Sequence, residues 1–324
     1  MVNIIKIKKN FIYCLFFIAA FIFLPFLAYL APDGQSGAGT PSDIKKSGYV
    51  RITDFGSNEF DASEKKYLDV TTTDYIFGCV AAVCPPDSDK EVFKAAAVAV
   101  YTFLQSERGE KISADPVLSQ PFITKETAFE LWGNKKEAVE KVIKDACNAV
   151  RGEMLVYNKI VFPARIHAVS AGKTEDSETV FGKKINPLSS VNSIGDLLAP
   201  DYVSKASYSA SDFISHAKNL GLELKNEPQG FISIPKQSGG GYVISYTLGG
   251  KSFTGLQMME AFSLKSPNFD LSEKDGVLTF TTRGIGHGVG MSIYGAEYMA
   301  KEGSGYKDIL LWYYKGAEVI TNSE

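Results

Sequence analysis

Histidine and cysteine are scarce in this chain of 324 residues, with three of the first and four of the second. So few cysteines exclude a disulfide framework, and the fold must rest on a hydrophobic core. Cys14 falls within an N-terminal apolar run, and Cys79, Cys84 and Cys147 read as buried thiols. Cys79 and Cys84 are so close in sequence that they bridge only if the chain turns between them. The histidines, His167, His216 and His287, have no ligand spacing and form no His-x-x-Glu-His motif, so neither a metal nor a cofactor is expected. Positive charge is also in deficit, 34 Lys and Arg standing against 37 Asp and Glu. That balance excludes electrostatic capture of nucleic acid, and binding to any anionic polymer would depend on shape and local contacts. Internal repeats, long charge blocks and a Gly-Lys-Ser/Thr phosphate loop are all missing.

Charge is missing altogether from residues 11–31, which follow Lys6, Lys8 and Lys9. A bilayer is crossed by about 20 apolar residues as a helix, and lysines mark the cytoplasmic side. Cleavage after Ala31 would place Tyr29 at −3 with Pro32 just beyond, a poor signal-peptidase site. The expected order is a cytoplasmic tail at 1–10, an uncleaved single-pass membrane anchor at 11–31, a flexible Gly/Ser/Pro-rich linker at 32–49 and an extracytoplasmic domain at 50–324.

Within that domain, Ser88 and Glu91 form a Ser-x-x-Glu capping pattern that opens a helix running to Leu104. Val92, Phe93 and 95–100 are apolar on every side of it, which predicts a central, buried helix. Thr124 starts a short helix, and 134–150 makes another, with Ala138, Val139, Val142, Ile143, Ala146 and Ala149 on its apolar face and Gly152 as its stop. Strands are expected at 154–157 and 160–162, joined across Asn158-Lys159 as a hairpin, and again at 164–169, 231–234, 242–248 and 277–282. A helix is expected over 211–220, ending near Gly221. The mixture predicts an α+β fold of helices and short antiparallel strands, in one large or two closely joined lobes behind the transmembrane helix.

The most informative stretch is Arg283-Gly284-Ile285-Gly286-His287-Gly288-Val289-Gly290-Met291-Ser292-Ile293-Tyr294-Gly295-Ala296. Four glycines alternate through it between an apolar strand and a helical pattern beginning near Ser292. Glycines at that density permit left-handed backbone and close approach, and the arrangement holds one imidazole on a tight loop between rigid elements. Its unperturbed pKa near 6.5 suits either hydrogen bonding or proton transfer.

Gly286 to Ser292, then Tyr294-Gly295-Ala296, resembles the signature of the stage II sporulation protein D family, which shares its fold with the LytB-type amidase enhancers. The likeness continues through Gly303, Tyr306, Ile309-Leu310 and Tyr313-Tyr314-Lys315-Gly316. Residues 80–103 resemble the family's early helical segment, and Ile166-His167-Ala168-Val169-Ser170-Ala171-Gly172-Lys173-Thr174-Glu175-Asp176 its Ser-rich, Gly-Thr-Glu stretch. The matches run in order from about Tyr75 to Gly316. The resemblance implies peptidoglycan glycan strands as substrate, at the septum during engulfment. It also implies the stage II sporulation protein P amidase and the membrane protein stage II sporulation protein M as partners.

It implies lytic transglycosylase chemistry as well. A single carboxyl protonates the glycosidic oxygen and then, as carboxylate, helps the sugar's C6 hydroxyl close an anhydro ring. Aligning Lys94-Ala95-x-Ala97-Val98-Ala99 with the family pattern puts Val83 where that Glu belongs, ahead of Cys84-Pro85. Valine donates no proton. Ala96 stands in place of a Gln, Tyr101 and Met259 of Arg, Ile293 of Gln, and Ser119 of a Cys that some relatives carry. Val83, at the position of the expected Glu, His287 and Tyr294 are therefore the candidate catalytic positions. Ser170, Gly286, Gly288, Gly290 and Ser292 are the candidate substrate-binding ones. Glu175 and Asp176 read as a solvated turn, and Trp312, Tyr313 and Tyr314 as core rather than sugar-stacking aromatics. Weakened or lost activity is the leading reading; an active enzyme with a relocated carboxyl, and an amidase enhancer or scaffold, are the others.

Overall fold

A computed structural model of the chain describes residues 49–53, 67–107, 112–113, 115, 119–225 and 228–321. The expected tail, membrane anchor and linker fall outside the described residues, apart from Tyr49. Among the described residues no helix is long and apolar enough to cross a membrane. They form two compact units. One is drawn from the chain up to Ile166 and from Ala296 onward, the other is His167–Gly295. The architecture is α+β, with helices and short, mostly antiparallel strands.

The first unit opens with β1 (Tyr49–Thr53) and β2 (Tyr67–Thr71), paired antiparallel. Thr71 caps the next helix, α1 (Thr72–Val83), by accepting the Asp74 N–H. The buried helix follows as α2 (Lys90–Ser106), and Val92, Phe93 and Ala95 through Val100 are all enclosed. Its cap differs from the sequence expectation. Asp89, not Ser88, accepts the Glu91 N–H, at 2.8 Å, while the Ser88 N–H closes a turn onto Pro85. Both residue types cap well, and the carboxylate one residue later wins the first amide.

A short strand, β3 (Ile112–Ser113), pairs parallel to β1, and α3 (Lys125–Trp132) starts at its Thr124 cap as expected. In α4 (Lys136–Ala149) the apolar stripe narrows to Val139, Ile143 and Ala146, while Ala138, Val142 and Ala149 face solvent. The hairpin appears as β4 (Glu153–Tyr157) and β5 (Ile160–Val161). Asn158 and Lys159 both adopt positive φ, as a two-residue hairpin turn of matching twist requires. Thr102 of α2 donates to Val98 and accepts the Leu155 N–H, which ties the central helix to β4.

The second unit contains a three-stranded antiparallel sheet, a smaller one, and the loops that concern function. The strand expected over 164–169 shortens to Ile166–His167. The unit then contributes α5 (Ser177–Phe181), β6 (Val203–Ser209), α6 (Ala210–Ala217), β7 (Lys236–Gln237), β8 (Val243–Leu248), β9 (Lys251–Phe253), α7 (Gly255–Ala261), β10 (Phe269–Lys274) and β11 (Val277–Arg283). Strands β10 and β6 flank β11, and their inner faces pack Phe213, Phe262, Phe269 and Phe280 into one aromatic core. The strand expected over 231–234 does not form. The Ser233 N–H is taken by the Tyr246 hydroxyl, Ile234 is 96% exposed, and Pro235 has no amide to offer a ladder. The helix expected over 211–220 is α6 followed by a 3₁₀ turn that Gly221 closes in the left-handed region.

The chain then returns to the first unit through α8 (Ile293–Lys301), α9 (Tyr306–Tyr313) and β12 (Ala317–Thr321), which pairs with β4. Tyr313 and Tyr314 are core residues as expected, but Trp312, expected with them, is 43% exposed.

Candidate functional site

All four glycines of the loop, Gly284, Gly286, Gly288 and Gly290, have φ between 77° and 95°. Side chains avoid that region, so the alternation is a backbone requirement. The loop is stitched to other segments of the second unit. Gly284 N–H donates to Tyr202 O, Ile285 exchanges two hydrogen bonds with Val169, Gly286 N–H donates to Lys265 O, and Gly288 O accepts from Glu175 N–H. At Gly288 the space is closed as well, because a Cβ there would lie 2.4 Å from the Tyr242 ring. Tyr242 is itself buried, and its hydroxyl oxygen accepts the Ala171 N–H.

This scaffold holds His287 at 5% exposure, with its Nδ1 accepting the Val289 N–H at 3.0 Å. Phe181 meets the imidazole edge-on at 5.3 Å between ring centroids. His167 lies beside it at 5.8 Å, which the sequence spacing of the two histidines gave no reason to expect. Burial lowers the His167 pKa to about 4, against a weaker opposing pull from the Val289 carbonyl. His216 stands elsewhere, packed on Tyr208 with its Nδ1 at Ala261 O. Among the described residues no group of three or more His, Cys, Asp or Glu is placed to hold a metal ion.

Ser170 and Ser292 are brought together by a residue that sequence reasoning missed. Asp196 is fully buried in a 3₁₀ turn, Ile194–Leu198, and its carboxylate accepts Ser170 N–H at 2.9 Å, Ser170 Oγ–H, and Ser292 Oγ–H at 2.7 Å. Burial raises its pKa to about 6, outweighing the serine hydrogen bonds that pull it down. Both serines are themselves fully buried, so their hydroxyls hold the site together and do not face solvent. The one available signal was an acid inside the apolar run Ile194-Gly195-Asp196-Leu197-Leu198. Tyr294, half-buried, donates from its hydroxyl to Leu198 O at 3.0 Å.

Glu175 corrects the expectation of a solvated turn. It is 3% exposed, and its carboxylate accepts from Ser238 Oγ and from the Asp176 N–H; only Asp176 faces solvent. Ser238 Oγ in turn accepts the Gly240 and Tyr242 N–H groups, so Glu175 braces the turn that presses Tyr242 onto Gly288.

Val83 lies in the first unit, as the last residue of α1, and is 1% exposed. Cys84 follows as the helix cap, its N–H donating to Val80 O, and burial pushes its thiol pKa up strongly. Ala96 is fully buried in α2. Of the acids that follow, Asp89 caps α2, while Glu91 pairs with Lys94 and accepts the Tyr306 N–H. Cys79, Cys84 and Cys147 are free thiols, the first two buried and Cys147 half-buried.

The family described as Stage II sporulation protein matches residues 61–157. The chain is 32% identical to Stage II sporulation protein D of Bacillus subtilis (strain 168) over 259 residues, covering 76% of this chain and 73% of that protein. It is 30% identical to Stage II sporulation protein D of Bacillus amyloliquefaciens, covering 80% and 77%. A more distant likeness, 24% identical, reaches the Amidase enhancer of Bacillus subtilis (strain 168), of which this chain covers 40%. With a relative this similar along most of both chains, the protein belongs to the stage II sporulation protein D family.

Proposed function

We propose that this protein binds septal peptidoglycan glycan strands during engulfment, held at the membrane by residues 11–31, with little or no lytic transglycosylase turnover of its own. The observation that carries the reading is Val83. It occupies the position where the resemblance calls for a Glu, it is enclosed at the end of α1, and α1 has no acid beyond its first turn. A binding role draws support from the second unit, whose glycine loop and His287 are built at the cost of four left-handed residues and a buried carboxylate. Glycines in such a loop let the backbone approach a bound group closely, and loops held by a rigid scaffold often carry function.

Co-sedimentation of the full chain with insoluble glycan strands stripped of stem peptides tests the binding role. Retention of the unmodified protein, reduced several-fold in His287→Leu, is expected; equal recovery with and without strands would count against it. The anchor has its own check. A reporter active only in the cytoplasm, fused after Glu324, should stay silent, and activity there would overturn the topology.

A further inference from the structure

A cavity of about 260 Å³ opens in the second unit, its wall a single stretch of chain from Asp176 to Ser189. Ser177 ties the two ends of that stretch together. Its N–H donates to Leu188 O at 3.0 Å, and its Oγ accepts the Ile185 N–H at 2.8 Å. Asp176 Oδ1 accepts the Ser190 N–H at 2.9 Å, which leaves Oδ2 without a partner among the described residues. Charges of both signs line the cavity. Asp176 and Glu178 supply carboxylates, Lys184 an ammonium and Asn186 an amide, with Ile185 and Leu188 as the apolar part of the wall. All four polar residues are exposed. Among the described residues, the side chains of Glu178, Lys184 and Asn186 make no hydrogen bond or ion pair. Opposite charges around one opening that do not close on each other leave a gap for a ligand to bridge.

We propose that this cavity takes a zwitterionic α-amino-acid group, its ammonium on Asp176 and Glu178 and its carboxylate on Lys184 and Asn186. Other ligands leave charge uncompensated. A lone anion would meet two carboxylates, a lone cation would meet Lys184, and a neutral sugar would match none of the three charges. Two carboxylates also fall short of a metal site, and no group of three or more His, Cys, Asp or Glu is placed to hold an ion among the described residues. The size agrees. Pockets for drug-sized ligands begin at about 300 Å³, so this one suits an amino acid or the end of a peptide. On the glycan reading above, such a group is carried by stem peptides that still hang from unstripped strands. That source rests on the glycan reading; the zwitterion site does not.

Alanine is the smallest probe of the site. With the full chain in detergent micelles, a saturation-transfer NMR titration should show D- or L-alanine binding saturably. N-acetylalanine and alaninamide each lack one of the two charges and should bind roughly tenfold more weakly. Glu178→Gln and Lys184→Gln remove no existing contact, so both should fold, and each should weaken alanine roughly tenfold, the worth of one exposed charge-assisted hydrogen bond. Lys183→Gln, next in sequence but outside the lining, should change nothing. The proposal is overturned by alanine that does not bind saturably, by capped forms that bind equally, or by binding that neither variant weakens. Displacement of alanine by N-acetylglucosamine also overturns it, since the cavity would then be a sugar site. Strands that keep their stem peptides should be retained several-fold better than stripped ones, and Lys184→Gln should abolish the difference. Equal retention overturns the stem-peptide source, and retention of neither kind counts against the glycan reading, while the alanine titration judges the site separately.

Discussion

Asp196→Ala is expected to cost about 3–5 kcal/mol of folding stability at pH 7. The side chain is fully buried, and its removal strands Ser170 N–H and Ser170 Oγ–H and leaves Ser292 Oγ–H only the longer bond to Ala168 O at 3.3 Å. Denaturant unfolding measures this, and a loss below about 1 kcal/mol would show that the serines find other partners. Asp196→Asn should be milder and should expose a second effect. With a pKa of about 6 against its usual 3.8, native Asp196 holds its proton more tightly than the unfolded chain. Its contribution therefore falls as pH rises through that window, by about 3 kcal/mol. His167 does the reverse. At about 4 against 6.5, it gives up its proton more readily in the native state, and its contribution falls by a similar amount as pH drops from 6.5 to 4. The two slopes oppose each other in the unmodified protein. Removing the Asp196 slope should uncover an acid-induced loss of stability; a flat profile in Asp196→Asn would mean that His167 is not held neutral.

Features fixed by neighbours in sequence were legible. Two residues between apolar runs predicted the hairpin, because Asn158 and Lys159 adopt positive φ without distant help. The unbroken apolar run of α2 announced a helix buried on every side. Where two neighbouring residues competed for the same task, as Ser88 and Asp89 did for the α2 cap, the sequence could not rank them. The glycine loop stood out in the site, but the burial of its partners did not. Asp196 meets Ser292 across 96 positions, and Glu175 is enclosed through Ser238, 63 positions away. Neither acid carries a local mark of burial beyond its neighbours. The pairing of His167 with His287 was hidden for the same reason, since only the folded backbone brings Val289 between them.

The second large effect concerns turnover. A missing general acid typically costs about two to four orders of magnitude in rate, enough to hide cleavage in an ordinary digest. Val83→Glu alone is not expected to restore it. The new carboxyl would enter a fully enclosed position, with valine, alanine and cysteine around it in sequence and an alanine at 96 where the resemblance calls for a Gln. Burial there would raise its pKa without orienting it.

Product analysis on stripped glycan strands tests most directly the proposal that this chain holds glycan without cutting it. The unmodified full chain should release no more 1,6-anhydro sugar than a heat-denatured sample of the same protein. Anhydro product from the native protein alone, abolished by replacing one carboxylate other than position 83, would contradict the account and show that the catalytic acid has moved.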